Sequence, residues 1–283
     1  MSELLPYRLV DVFTDQAFAG NPLAVVLDGE DLTTEQMQRI AAEFNLSETV
    51  FPMAATTPQA NYRLRIFTPG SELPFAGHPS VGAAWVMRSV GRVSDGDLVQ
   101  ECGAGLLPLV LDGESVTLTG GKPTLGDVVD PSAAIAAVGL SAADLAGDPV
   151  RFCGMGINFC YLHVRPDAVA RSAPDFAGLR TLDGGIGVFV FSEIDHVAHA
   201  RMFAGDVAED PATGSAALGL GVWLASCGRV AADGVTSYVV NQGAEMGRPS
   251  RLSCEVRCAG GIAVEGRVSG SVVPIGEGHI RRP

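Results

Sequence analysis

The sequence predicts an α+β protein of two similar halves, each a set of short strands around one apolar helix. Three observations predict it. First, a short pattern occurs twice. Residues 72–82 read Glu-Leu-Pro-Phe-Ala-Gly-His-Pro-Ser-Val-Gly, and residues 209–219 read Glu-Asp-Pro-Ala-Thr-Gly-Ser-Ala-Ala-Leu-Gly. Glu72, Pro74, Gly77 and Gly82 recur as Glu209, Pro211, Gly214 and Gly219, 137 positions on in a chain of 283. A repeat at half-chain spacing marks two like units. Second, each copy leads into an apolar segment of helical length, 80–90 and 216–227. Third, glycine is abundant and aromatic residues are few, which favours many turns and short strands.

The elements follow in order. Tyr7 to Phe13 alternates as a strand, the Gly20-Asn21-Pro22 segment turns, and Leu23 to Leu27 is a second strand. Residues 33–44 are the best local helix: Thr33 caps it, Gln36 completes a capping box, and Met37, Ile40, Ala41 and Phe44 share one face. Asn45 ends it, and Leu46-Ser47-Glu48 leads into a strand at 49–51. A strand at 63–68 precedes the first repeated turn and its buried helix. Arg65-Ile66-Phe67 is echoed by Arg201-Met202-Phe203 before the second turn. Residues 120–131 are the expected linker, 131–147 an expected surface helix, and strands follow at 187–191, 200–203, 236–241, 252–258 and 262–268. Gly228 stops the second apolar helix. The domains expected are 1–124 and 125–269, with 270–283 returning to the first.

Composition narrows the partners. The net charge of −13 leaves little to neutralise phosphates, so nucleic acid is excluded as a partner. No apolar run reaches the ~20 residues needed to span a bilayer. The first residues lack the basic and apolar regions of a secretory signal, and the expected compartment is the cytoplasm. The six cysteines, at 102, 153, 160, 227, 254 and 258, form no CxxC pair and read as buried free thiols. No spacing of His, Cys or carboxylates suggests a metal.

Chemistry concentrates in the repeated turns. Each sits at a helix N-terminus, where unpaired N–H groups and the positive end of the dipole favour a carboxylate or an oxyanion. Taken singly, the glycines need only permit tight helix–sheet packing; their repetition turns the reading towards a site. The copies differ where chemistry would sit: His78 in one is opposite Ser215 in the other, and Asp210 replaces Leu73. An imidazole with an ordinary pKa near 6.5 suits proton transfer. Ser215 lacks the second glycine of a nucleophile elbow, which disfavours a serine hydrolase. Asp210 before a proline also reads as a turn initiator. Pattern alone does not distinguish Glu48 from Glu43 or Glu72.

These motifs resemble the phenazine-biosynthesis isomerase family (PhzF-like). The segments that carry the resemblance are Val12-Phe13-Thr14 through Gly20-Asn21-Pro22-Leu23-Ala24-Val25, Asn45-Leu46-Ser47-Glu48-Thr49, Arg65-Ile66-Phe67-Thr68-Pro69 through Gly77-His78-Pro79, and Asp210 to Ala216. The resemblance implies a diaminopimelate-epimerase-like fold, with two pseudo-symmetric domains, each a mixed, mostly antiparallel sheet wrapped around a central helix, and an active site in the cleft between them. It implies a cofactor-independent isomerase moving a proton on a small carboxylate substrate. Glu48, His78 and Asp210 match its catalytic residues, and Gly77, Gly214, Ser215 and Asn21 its substrate-binding ones. No cofactor or metal is implied, and a homodimer is. Epimerases of this fold carry a cysteine in each turn; here none of the six falls in either. An amino-acid epimerase with a non-thiol acid/base pair and a non-catalytic binding protein are the competing expectations.

Overall fold

A computed structural model describes residues 3–205 and 209–283. Met1 and Ser2, on which part of the reading of the amino terminus rests, lie outside them. The chain divides into two compact units, Met1–Thr119 with Ser269–Pro283, and Gly120–Val268.

The first unit contains β1 (Leu4–Val12), β2 (Asn21–Val26), α1 (Thr34–Phe44), β3 (Glu48–Met53), β4 (Tyr62–Phe67), β5 (Glu72–Leu73), α2 (Gly77–Ser89), β6 (Gly96–Cys102), β7 (Gly105–Asp112) and β8 (Ser115–Thr119). Its strand order is β1-β2-β3-β4-β6-β7-β8, and the last strand of the chain, β16 (Ile262–Arg281), pairs with both β8 and β1 to close the ring. Helix α2 fills that ring: every residue from Gly77 to Met87 is buried. Helix α1 covers the outside. Thr33 and Gln36 make the reciprocal capping box, Asn45 takes the left-handed conformation at the far end, and Met37, Ile40 and Ala41 pack on Leu5, Val26, Phe51 and Phe67.

The second unit contains β9 (Pro123–Val128), α3 (Ser132–Ala137), β10 (Arg151–Met155), β11 (Asn158–His163), α4 (Pro166–Arg171), α5 (Phe176–Leu179), β12 (Gly187–Ile194), β13 (Val197–Ala204), α6 (Gly214–Ser226), β14 (Gly234–Gln242), β15 (Ser250–Ala259) and the start of β16. The order is β16-β15-β14-β13-β12-β11-β10-β9. Helix α6 is buried from Gly214 to Ala225 and packs on β10, β11 and β15. The short helices α3, α4 and α5 lie on the opposite face of the sheet, over Leu162, Val188, Val190 and Phe203. Strand β12 is buried on both faces and reads accordingly as a continuous apolar run.

Three expectations need correction. The repeated turns are not loops ahead of helices at 80 and 216; they are the first turns of helices that begin at Gly77 and Gly214. Pro79 is no obstacle, because first-turn N–H groups have no intrahelical partner to lose. The segment 131–147 is not one surface helix. Gly139, at φ +67°, stops α3, a 3-10 turn follows at Ala142–Asp144, and Ala134, Ile135 and Ala137 are buried. The linker expected at 120–131 is half strand, since β9 pairs with β10.

The paired glycines Gly82 and Gly219 are explained by packing. A Cβ at Gly82 would meet side-chain tips of Leu23 and Val12 at 2.6 and 2.8 Å. One at Gly219 would run into the Tyr161 hydroxyl and approach the Gly154 backbone to 3.0 Å. That hydroxyl donates to Ala216 O at 2.7 Å. Gly219→Ala gains about 1 kcal/mol of helix propensity. It loses about 1–3 kcal/mol to overpacking and about 1 kcal/mol with the displaced hydrogen bond. A net loss of about 1–3 kcal/mol in urea unfolding is expected, with part of it recovered in Gly219→Ala/Tyr161→Phe.

Candidate functional site

In the first unit the start of β2, the start of β3 and the first turn of α2 converge. Strands β2 and β3 run parallel with Leu23 opposite Glu48, so Asn21 and Ser47 stand at the same end. Two left-handed residues bring the chain there: Gly20 at φ +67°, where a Cβ would strike Val12 O, and Asn45 at φ 51°, which ends α1 three residues before Glu48. His78 completes the group. Its Nδ1 lies 3.1 Å from Asn21 Nδ2, and its Nε2 lies 3.3 Å from Glu48 Oε2. Ser47 Oγ donates to Asn21 Oδ1 at 3.2 Å.

Burial sets the electrostatics. His78 is only 4% exposed and Asn21 fully buried. Loss of hydration pushes the imidazole pKa down from 6.5 to about 3, so the ring is neutral at ordinary pH. The Glu48–His78 contact therefore sets a carboxyl group against a neutral imidazole, and is not an ion pair. Its geometry falls outside that of a hydrogen bond, as is common where a substrate completes the arrangement.

In the second unit the corresponding turn is clamped by β14. Gln242 Nε2 donates to Asp210 O at 2.6 Å and to Thr213 Oγ1 at 3.0 Å, and its Oε1 accepts from Thr213 N at 3.1 Å. Thr213 Oγ1 donates in turn to Asp210 Oδ2 at 2.7 Å. Asp210 N is bonded to Met202 O on β13, which fixes where the turn begins. Ser215 is buried in the first turn of α6. Neither Ala76 nor Thr213, the N-cap residues of α2 and α6, caps its helix with a side chain.

The two units repeat these supports. Arg65 Nε and Nη2 grip the Glu72 carboxylate at 2.7 Å each, and Arg201 holds Glu209 in the same bidentate way. Each arginine also lies over the ring two residues on, Phe67 or Phe203. A buried glutamine serves each helix start. Gln100 accepts from Tyr62 OH and donates to Ser80 Oγ, which donates to Ala76 O at the N-cap of α2; Gln242 serves the second turn directly.

The expected residues thus fall into two groups. Asn21, Glu48, Gly77 and His78 are brought together in the first unit, and Asp210, Gly214 and Ser215 in the second. The expectation missed Ser47, Thr213, Gln100 and Gln242. A signal for the glutamines existed: each occupies an inward position of an alternating strand, Leu98-Gln100-Cys102 in β6 and Tyr238-Val240-Gln242 in β14. A polar residue in an inward register must find a partner inside. Among the described residues no group of three or more His, Cys, Asp or Glu is placed to hold a metal ion, and no helix is long and apolar enough to cross a membrane.

Comparison with known proteins identifies the family. The family model described as phenazine biosynthesis-like protein matches residues 10–278. An uncharacterised isomerase of Mesorhizobium japonicum is 35% identical over 97% of this chain and 98% of its own. Trans-2,3-dihydro-3-hydroxyanthranilate isomerase of Pseudomonas aeruginosa is also 35% identical, over 96% of this chain and 98% of its own. The crystal structure of a Bacillus anthracis phenazine biosynthesis protein of the PhzF family superposes with a TM-score of 0.89 at 25% identity, covering 99% of each chain. A hydroxyproline epimerase of Agrobacterium vitis shares the fold at a TM-score of 0.67 and 15% identity. With a family match over nearly its whole length and relatives named as isomerases, the chain belongs to the phenazine biosynthesis-like protein family and is an isomerase.

Proposed function

We propose that this isomerase moves a proton on a small, unsaturated, carboxylate-bearing substrate by general acid/base catalysis without a cofactor. The observation that carries this reading is the meeting of Glu48 with the buried, neutral His78 at the first turn of α2. Glu48 is the base. It takes a proton from a carbon next to the unsaturated system, and the electron pair left behind delocalises into that system. The proton then returns at another carbon, so the double bond shifts and no atom is gained or lost. A neutral imidazole beside the carboxylate orients the substrate without competing for the proton. Backbone N–H groups at the start of α2 suit a carboxylate or a developing oxyanion. Asp210, Gly214 and Ser215 keep the roles implied by the family pattern: orienting the substrate and holding its carboxylate. Relatives named for isomerisation of a dihydro-hydroxyanthranilate support a cyclic substrate of this class. The absence of a cysteine from both turns, 72–82 and 209–219, supports a base other than thiolate.

Proton NMR in deuterated buffer tests the reading with dihydro-hydroxyanthranilate and a panel of free amino acids. Wild type is expected to lose a C–H signal with a shifted double bond. Glu48→Gln is expected to fall by about 10²–10⁴-fold or more. Retained activity in Glu48→Gln removes Glu48 as the base, and inversion at Cα with no bond shift turns the reading to an epimerase.

The depressed pKa of His78 gives a second test. Its folded value lies below its unfolded one, so between about pH 3 and 6.5 the unfolded chain binds more protons, and stability falls as pH falls. The slope expected from this residue is at most about 1.4 kcal/mol per pH unit. Urea unfolding of wild type and His78→Gln across that window is expected to differ by this slope, and to run parallel above pH 7. The kcat/KM profile is expected to show no limb from His78 between pH 5 and 8.

A further inference from the structure

We propose that Asn21 is a positioning residue that, with Ser47 behind it, locks His78 in the tautomer carrying its proton on Nε2. The argument starts from the carboxamide. Asn21 Oδ1 accepts the Ser47 hydroxyl at 3.2 Å, and the NH2 group of the same carboxamide faces the ring. That NH2 can only donate, so His78 Nδ1, 3.1 Å away, must accept. A neutral imidazole with a bare Nδ1 carries its hydrogen on Nε2.

The far side of the ring favours the same state when Glu48 is the base. Nε2 lies 3.3 Å from Glu48 Oε2 inside the protein. A base ready to take a proton is ionised, and the opposite tautomer would set a nitrogen lone pair against it with little water to screen the repulsion. The donor at one end and the acceptor at the other therefore select one tautomer. Burial adds to this, because the ring is held neutral and cannot satisfy both neighbours by becoming a cation.

The lock gives the pair a direction. With a hydrogen on Nε2 and the Nδ1 lone pair engaged by Asn21, the neutral ring has no site for a further proton, and the proton taken from substrate goes to Glu48 and not to the ring. Asn21 lies wholly buried behind the imidazole, which fits a support better than a substrate contact. This deepens the proposed function and rests on it for the ionised state and role of Glu48; the argument from Asn21 and Ser47 does not.

The test is 15N NMR of protein labelled at histidine, with the His78 resonances assigned by their loss in His78→Gln. In wild type, Nε2 is expected protonated and Nδ1 bare, unchanged from pH 5 to 8. Asn21→Asp puts an acceptor opposite Nδ1 and is expected to move a proton onto it. Ser47→Ala, a milder change should the Asn21 variant not fold, frees the carboxamide and is expected to populate both tautomers. Solvent exchange on the substrate is followed in parallel, with an expected fall in kcat of about 10²–10⁴-fold for Asn21→Asp at little change in KM. A proton on Nδ1 in wild type overturns the proposal. So does an unmoved tautomer in both variants, or a full kcat in a variant whose tautomer has switched. If wild type exchanges no proton on any substrate, the proposed function fails while the 15N result still decides the lock.

Discussion

A helix buried on every side has no face on which to leave its polar groups. Both α2 and α6 are in that position, and neither has a capping side chain at its start. Each unsatisfied buried group costs about 1–3 kcal/mol, so partners reach in from the surrounding strands. Gln242 Oε1 accepts from Thr213 N at the start of α6, the Tyr161 and Tyr238 hydroxyls donate to Ala216 O and Ala217 O in its first turn, and Tyr62 and Gln100 reach Ser80 of α2, which donates to Ala76 O. Close approach of this kind requires glycine where the helices meet those partners, as at Gly219. The same enclosure strips water from His78 and keeps its ring uncharged. Fold and site are thus consequences of one constraint, the dry surroundings of a helix start.

Much of the architecture was legible because it is written locally or twice. The capping box at Thr33 and Gln36 and the stop at Asn45 are short-range chemistry, and they delimit α1 as expected. The repeat identified both central helices, and Glu72 and Glu209 within it each hold a matching arginine. It also singled out His78, Asp210 and Ser215, since those are the places where two otherwise like turns differ.

What was not legible depends on register and on distant partners. Glu48 looks like any surface carboxylate until the parallel pairing of β2 with β3 sets it beside the start of α2. Only the family pattern marked it. The segment 131–147 misled because alanine favours helix throughout, while the break at Gly139 and the burial of Ile135 come from packing on the sheet. The helix starts at Gly77 and Gly214 were placed late because glycine and proline usually signal loops, yet both are tolerated in a first turn.

The six thiols have a consequence of another kind. None is in a disulfide, five are buried, and burial pushes the Cys153 and Cys254 thiols up and that of Cys160 to about 12. The thiolate is the form that peroxides attack, so these sulfurs are protected even where one lies against a repeated turn, as Cys153 does with its Sγ donating to Gly219 O at 3.7 Å. The proposed proton-transfer site, a carboxylate and an imidazole, has no atom that climbs the sulfur oxidation ladder. On that proposal the catalyst would keep its chemistry through an oxidative challenge that would silence a two-thiol acid/base pair.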